Sequence, residues 1–222
     1  MLFRSLRDLG NQRLIPRTHI EFLMQLKEQG VNPKVVYDIG ACVLHWTNEA
    51  ERIWPDTKYI AFEAMDASEF LFKEKGMNYS IGVLSDRDGK EVEFYCNEYH
   101  PGGNSYYKEN EVVNPDTVNY FGDHNKRKMI AMTLDSVVAF KGFPAPDFIK
   151  MDVQGAELDV LKGAQNTLKS VQHVILECQS VEYNKGAPMN QDVIAYMDSI
   201  GFECLGQFSN NGPDGDYFFK RR

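Results

Sequence analysis

The chain has 222 residues, 43% of them hydrophobic and 25% charged, which is enough for one domain with a well-buried core. Its formal charge of −8 argues against a general affinity for nucleic acid, which calls for a basic face. The four cysteines (Cys42, Cys96, Cys178, Cys204) form no CxxC pair and have no histidine at ligand spacing, and no run nears the ~20 apolar residues of a membrane span, so we expect no metal site, no stable membrane insertion and a cytoplasmic setting.

At the start of the chain, Leu2, Phe3, Leu6 and Leu9 have the spacing of a short amphipathic helix, either packed onto the domain or touching a membrane. Pro16 to Gly30 reads as a helix, with proline suited to its first turn and glycine to the position past its end. Residues 1–30 are thus an expected helical extension, and 31–222 the main domain.

Five short apolar runs follow: Val35 to Ile39, Tyr59 to Phe62, Tyr79 to Leu84, Phe148 to Met151 and Val174 to Leu176. They are apolar on both faces, as strands of a covered parallel sheet are. Segments 46–55, 66–76 and 156–169 have the length of crossover helices. Phe202 to Phe208 and Asp216 to Lys220, joined by a turn-rich stretch, read as an antiparallel hairpin. The expected fold is α/β: a Rossmann-like, doubly wound, mostly parallel seven-stranded sheet ending in that hairpin, with helices on both faces.

Residues 88–146 are the least regular and read as a variable insertion or substrate loop. Glu91 to Asn97 and Met129 to Thr133 are candidate extra strands. The polar stretch from Glu98 to Lys128 between them includes Lys126-Arg127-Lys128, read as a solvated loop.

Ligands in such sheets bind beyond the carboxyl ends of the strands. The first strand ends in Asp38-Ile39-Gly40-Ala41, where small residues allow a sharp turn and a close approach to a ligand. A plain strand-to-helix turn explains this motif equally well. Glu63 ends the second strand 25 residues after Asp38, and its two oxygens match the vicinal diol of a ribose. Ser85-Asp86 suit an adenine edge or a simple turn. The fourth strand runs Ile149-Lys150-Met151-Asp152-Val153-Gln154-Gly155-Ala156-Glu157, placing Asp152 between a cofactor and any substrate; Glu177 repeats the arrangement one strand over.

Taken in order with Thr133-Leu134-Asp135-Ser136 and Val160-Leu161-Lys162-Gly163, these elements make residues 35–205 resemble the FkbM-type methyltransferases, a branch of the class I enzymes. The resemblance implies S-adenosylmethionine as cofactor and methyl transfer to a hydroxyl of a sugar, glycan or secondary metabolite. It implies a small-molecule or glycan acceptor and leaves the oligomeric state open. The implied cofactor set is Asp38, Gly40, Ala41, Cys42, Glu63, Ala64, Ser85, Asp86 and Asp152. Asp152 and Glu177 are the candidate bases, with His100 and His124 of the insertion behind them.

The chain departs from the family pattern at four positions: Cys42 replaces asparagine, Leu44 glycine, Ala64 proline and Gln154 glutamate. Leu44 is expected to project towards the methionine moiety, narrowing the pocket or shifting the loop. A binding module that has lost turnover is therefore the alternative reading. A dehydrogenase is disfavoured because no GxGxxG turn is present.

Overall fold

The computed structural model describes Leu6 and residues 16–222. The other positions of the expected amphipathic segment (Leu2, Phe3 and Leu9) lie outside the described residues. Leu6 packs against a cluster that contains Met65, Val83 and Phe94.

In chain order the elements are α1 (Arg17–Glu28), β1 (Val35–Ile39), α2 (His45–Ile53), β2 (Lys58–Glu63), α3 (Glu69–Lys75), β3 (Asn78–Ile81), β4 (Lys90–Tyr95), α4 (Thr117–Tyr120), β5 (Lys126–Ala131), α5 (Leu134–Lys141), β6 (Phe148–Met151), α6 (Glu157–Lys162), β7 (His173–Gln179), α7 (Asn190–Ser199), β8 (Phe202–Asn210) and β9 (Asp214–Arg221). Seven strands form one sheet in the order β3-β2-β1-β6-β7-β9-β8. The first five are parallel; β9 runs antiparallel to β7, and β8 antiparallel to β9. Strand order reverses between β1 and β6, so the crevice beyond their carboxyl ends is the natural ligand site of the fold.

The apolar runs become central strands because both of their faces are covered. Tyr37, Ile39, Ile149, Met151, Val174 and Leu176 pack on one side, with α6 supplying Leu158 and Leu161. Val36, Phe148 and Ile175 pack on the other, against Leu23 and Leu26 of α1 and Trp46 and Ile53 of α2. Alternation along the strands therefore puts Asp38 and Lys150 on the α1–α2 side, where they are direct partners in the β1–β6 register.

Three local expectations are corrected. The third strand stops at Ile81, because Gly82 turns away at φ +146° and Leu84 instead bridges Met132. The helix expected over 156–169 is split into α6 and a 3₁₀ turn at Thr167–Ser170. Gly163 lies so close to the Ser85 carbonyl that an added Cβ would fall 2.2 Å from its oxygen. The Asp135 carboxylate accepts the amides of Asn166 and Thr167, which starts the second turn. Finally, Lys126-Arg127-Lys128 open strand β5 rather than a loop, and each pairs with an acid: Lys126 with Glu93, Arg127 with Asp66 and Glu98, Lys128 with Glu91.

Candidate active site

The switch-point crevice is walled by Gly40, Glu63, Leu84, Phe94, Tyr106 and Asp152, among others, and holds about 620 Å³ of free space, its open mouth included. Gly40 is required here on two counts: its φ is +77°, and an added Cβ would fall 1.7 Å from the Asp152 carbonyl oxygen. Its lack of a side chain therefore closes β1 against β6 as well as opening the turn.

Glu63 ends β2 and is buried. Its Oε2 accepts the Cys42 amide at 2.7 Å and its Oε1 the Met65 amide at 2.8 Å. Burial raises its carboxyl above the usual range, while the amides of Met65 and Cys42 pull the other way. Each oxygen retains a lone pair for a further donor. Ala64 and Cys42 also line the crevice.

Beneath the crevice lies a polar row that crosses the sheet. Lys150 Nζ is 3.5 Å from Asp38 Oδ1, 3.4 Å from Asp152 Oδ2 and 3.4 Å from the Gly40 carbonyl oxygen. Burial lowers the Lys150 pKa, but the charges of Asp152, Asp38, Glu177 and Asp216 outweigh it and hold the ammonium above its ordinary value. Asp38 is fully buried, accepts Thr47 Oγ1 at 2.6 Å, and does not reach the crevice wall. Asp152 does reach it. Burial raises its carboxyl, yet Lys150, Glu177 and Gln154 bring it below the usual range.

Burial and the charges of Asp152 and Asp214 hold the Glu177 carboxyl well above its ordinary value, opposite in direction to Asp152. Gln154 links the two by donating Nε2 to Asp152 Oδ1 at 2.9 Å and to Glu177 Oε2. A glutamate there would bring a third acid and no amide donor. The row continues through Asn211 Nδ2, which donates to Glu177 Oε1 and Asp216 Oδ2, and ends at His19 of α1, 2.8 Å from Asp216.

Other expected residues take different places. Ala41 is buried with Leu44, Ala61 and Phe72. Ser85 and Asp86 are tied to Lys90, which also reaches Asp159. Tyr106 joins this group and presents its ring to the crevice. His124 is exposed on a 3₁₀ turn and lines neither this crevice nor the cleft beside it.

The expectation for Leu44 is also corrected. Cys42 and Leu44 both adopt positive φ, +49° and +68°. These turns aim the leucine into the apolar cluster beside Phe72 of α3 and away from the crevice.

A second, wider cleft adjoins the first and shares Cys42, Pro101, Gly102 and Gln154 with it. Its walls include Tyr99, Tyr120, Tyr183, Asn114, Asn211 and Asp214, together with His45 and His100. His100 packs against Tyr120 with ring centroids 3.8 Å apart and the rings tilted by 50°. The length of the insertion signalled a functional loop, but none of these tyrosines or amides, nor Asp214, was singled out by sequence pattern. Among the described residues no group of His, Cys, Asp or Glu is placed to hold a metal ion, and no helix is long and apolar enough to cross a membrane.

Comparison with known proteins agrees with this architecture. The chain is 38% identical over 68 residues to the hexuronic acid methyltransferase AglP of Haloferax volcanii, covering 28% of each chain. It is 26% identical over 145 residues to the 2-O-methyltransferase NoeI of Sinorhizobium fredii, covering 62% of this chain and 57% of NoeI. The matches thus span about a quarter and somewhat over half the length of these two relatives. Human N-acetylserotonin methyltransferase, solved with S-adenosylmethionine, shares the fold with a TM-score of 0.52 at 8% identity, over 97% of this chain and 54% of its own. Precorrin-6y C5,15-methyltransferase from Geobacter metallireducens does so with a TM-score of 0.51 at 11% identity, over 96% and 92%. The family model of the methyltransferase FkbM domain matches residues 38–204, from β1 into β8. With most of its length covered by that match, the chain belongs to the FkbM methyltransferase family.

Proposed function

We propose that the chain is an S-adenosylmethionine-dependent O-methyltransferase acting on a hydroxyl of a sugar or glycan. The observation that carries this reading is the pair of adjoining compartments, one fitted to a nucleoside and one to a polar acceptor, meeting at Cys42 and Gln154.

The residues of the first compartment fit the donor. Glu63 holds two oxygens, oriented by backbone amides, for the ribose diol. Leu84, Phe94 and Tyr106 supply flat apolar walls for a purine. Asp152, ionised beside Lys150, puts negative charge where a cationic sulfonium would lie. When bound, S-adenosylmethionine supplies the electrophilic methyl group. The protein's own task is to align the acceptor and keep both partners in place, which can supply about 7–11 kcal/mol of the barrier reduction.

In the second compartment, tyrosine rings offer faces for the C–H side of a sugar, and Asn114 and Asn211 offer amides for its hydroxyls. The names of AglP and NoeI favour the same acceptor class. Because Leu44 faces the core, it gives no reason to suppose that turnover is lost. The acidic net charge disfavours a nucleic-acid substrate, and the free cysteines suit a reducing cytoplasm. The test is transfer of isotopically labelled methyl from S-adenosylmethionine to a panel of sugars, uronic acids, glycans and hydroxylated metabolites. Label on a sugar hydroxyl is expected; bound donor with no labelled product across the panel would reject the reading.

A further inference from the structure

We propose that Asp214 is the general base that accepts the proton of the acceptor hydroxyl, an assignment that rests on the methyl-transfer reading above. Asp214 opens β9 opposite Gln179 of β7 and lines the acceptor cleft. Its Oδ1 is buried and has no hydrogen-bond partner. A carboxylate oxygen withdrawn from water without a donor costs free energy, and a side-chain rotation that turns it into the cleft, onto an acceptor hydroxyl, would relieve that cost.

Of the other candidates, His100 lines the same cleft but packs against Tyr120, and the two strand-end acids are already engaged. Asp152 is held by Lys150 and Gln154, which makes it a weak base. Both oxygens of Glu177 are already bonded, by Gln154 and by Asn211. His124 lies outside both compartments.

The groups around Asp214 are Asp152 just past β6, Glu177 on β7, Asp216 on its own strand, Tyr183 beyond β7 and the neutral amide of Asn211. Burial raises the Asp214 carboxyl, Asn211 lowers it, and Asp152 and Asp216 raise it again, to about 6. A base poised there is ionised at neutral pH yet still takes up a proton readily.

The step balances. The acceptor oxygen forms a bond to the methyl carbon as its proton passes to Asp214. The carbon–sulfur bond breaks with its electron pair left on sulfur, giving a methyl ether and a neutral thioether. Asp214 then releases the proton to water.

The test compares wild type with Asp214→Asn and Asp214→Ala, using folded protein verified by thermal melts. Turnover should fall about 10²–10⁴-fold in both variants, with S-adenosylhomocysteine affinity within twofold of wild type and partial rescue of Asp214→Ala by formate. The wild-type rate should rise with pH up to about 6 and then level off, and this acid limb should vanish in the variants. Wild-type turnover in Asp214→Asn, or an unchanged acid limb, would overturn the assignment. A wild type that neither binds S-adenosylhomocysteine nor transfers methyl defeats the functional reading instead. Titration of ¹³C-carboxyl-labelled aspartates decides about Asp214 in that case too. A signal near pH 6 that is missing from Asp214→Asn supports the assignment, and one at the ordinary 3.8 overturns it.

Discussion

Leu44→Gly restores the residue of the family pattern and separates two roles for this position. Leu44 is 3% exposed and packs with Ala41, Ala61 and Phe72. Truncating a buried leucine costs roughly 2–5 kcal/mol. Its left-handed backbone, φ +68°, disfavours an L side chain by roughly 1–2 kcal/mol, and glycine removes that strain. The net expectation is a loss of about 1–3 kcal/mol, read as a lower urea midpoint at unchanged slope. Affinity for S-adenosylhomocysteine, measured by calorimetry, should stay within twofold, because the side chain faces the core. A tenfold gain in affinity, or a more stable variant, would refute this account and return Leu44 to the pocket wall.

Lys150→Met removes the cation shared by Asp38 and Asp152; breaking a buried ion pair in this way costs about 3–5 kcal/mol, and a loss below 1 kcal/mol in denaturant titration would count against the polar row as a structural hub. Glu157 stands at about 8 in the fold against 4.5 ordinarily, raised by burial despite the amides of Val153 and Gly155. Between those two values the unfolded chain releases a proton that the fold retains, so stability falls as pH rises through that window. Glu157→Gln keeps an acceptor for both amides without titrating, so its advantage over wild type should grow from pH 4.5 to pH 8; parallel stability curves would exclude the shift.

The sheet was legible because its strands are covered on both faces. Runs such as Val35 to Ile39 and Phe148 to Met151 stand out from the helical stretches between them. The strand-end acids were legible for the same reason, since Glu63, Asp152 and Glu177 each close an apolar run and Asp38 sits next to the end of one. Their division of labour was not. Alternation along β1 buries Asp38 beneath the crevice, while Asp152 follows β6 and reaches the crevice wall, and this depends on register across strands. The second cleft was hidden because Tyr99, Tyr120, Tyr183, Asn211 and Asp214 come from distant loops and share no local pattern. The Leu44 reading failed for a local reason: side-chain direction is set by positive φ at 42 and 44, and residue identity does not reveal that turn.

The central claim is that the switch-point crevice binds the adenosyl cofactor through Glu63. Its most direct test is calorimetric titration of S-adenosylhomocysteine into wild type and Glu63→Ala. Wild type should bind in the crevice, and the variant, still folded, should lose about 1.5–3 kcal/mol of affinity, the range for a hydrogen bond to a charged group. That corresponds to roughly a 10- to 150-fold rise in Kd. No heat with wild type at millimolar ligand, or equal affinity in a folded Glu63→Ala protein, would contradict the account.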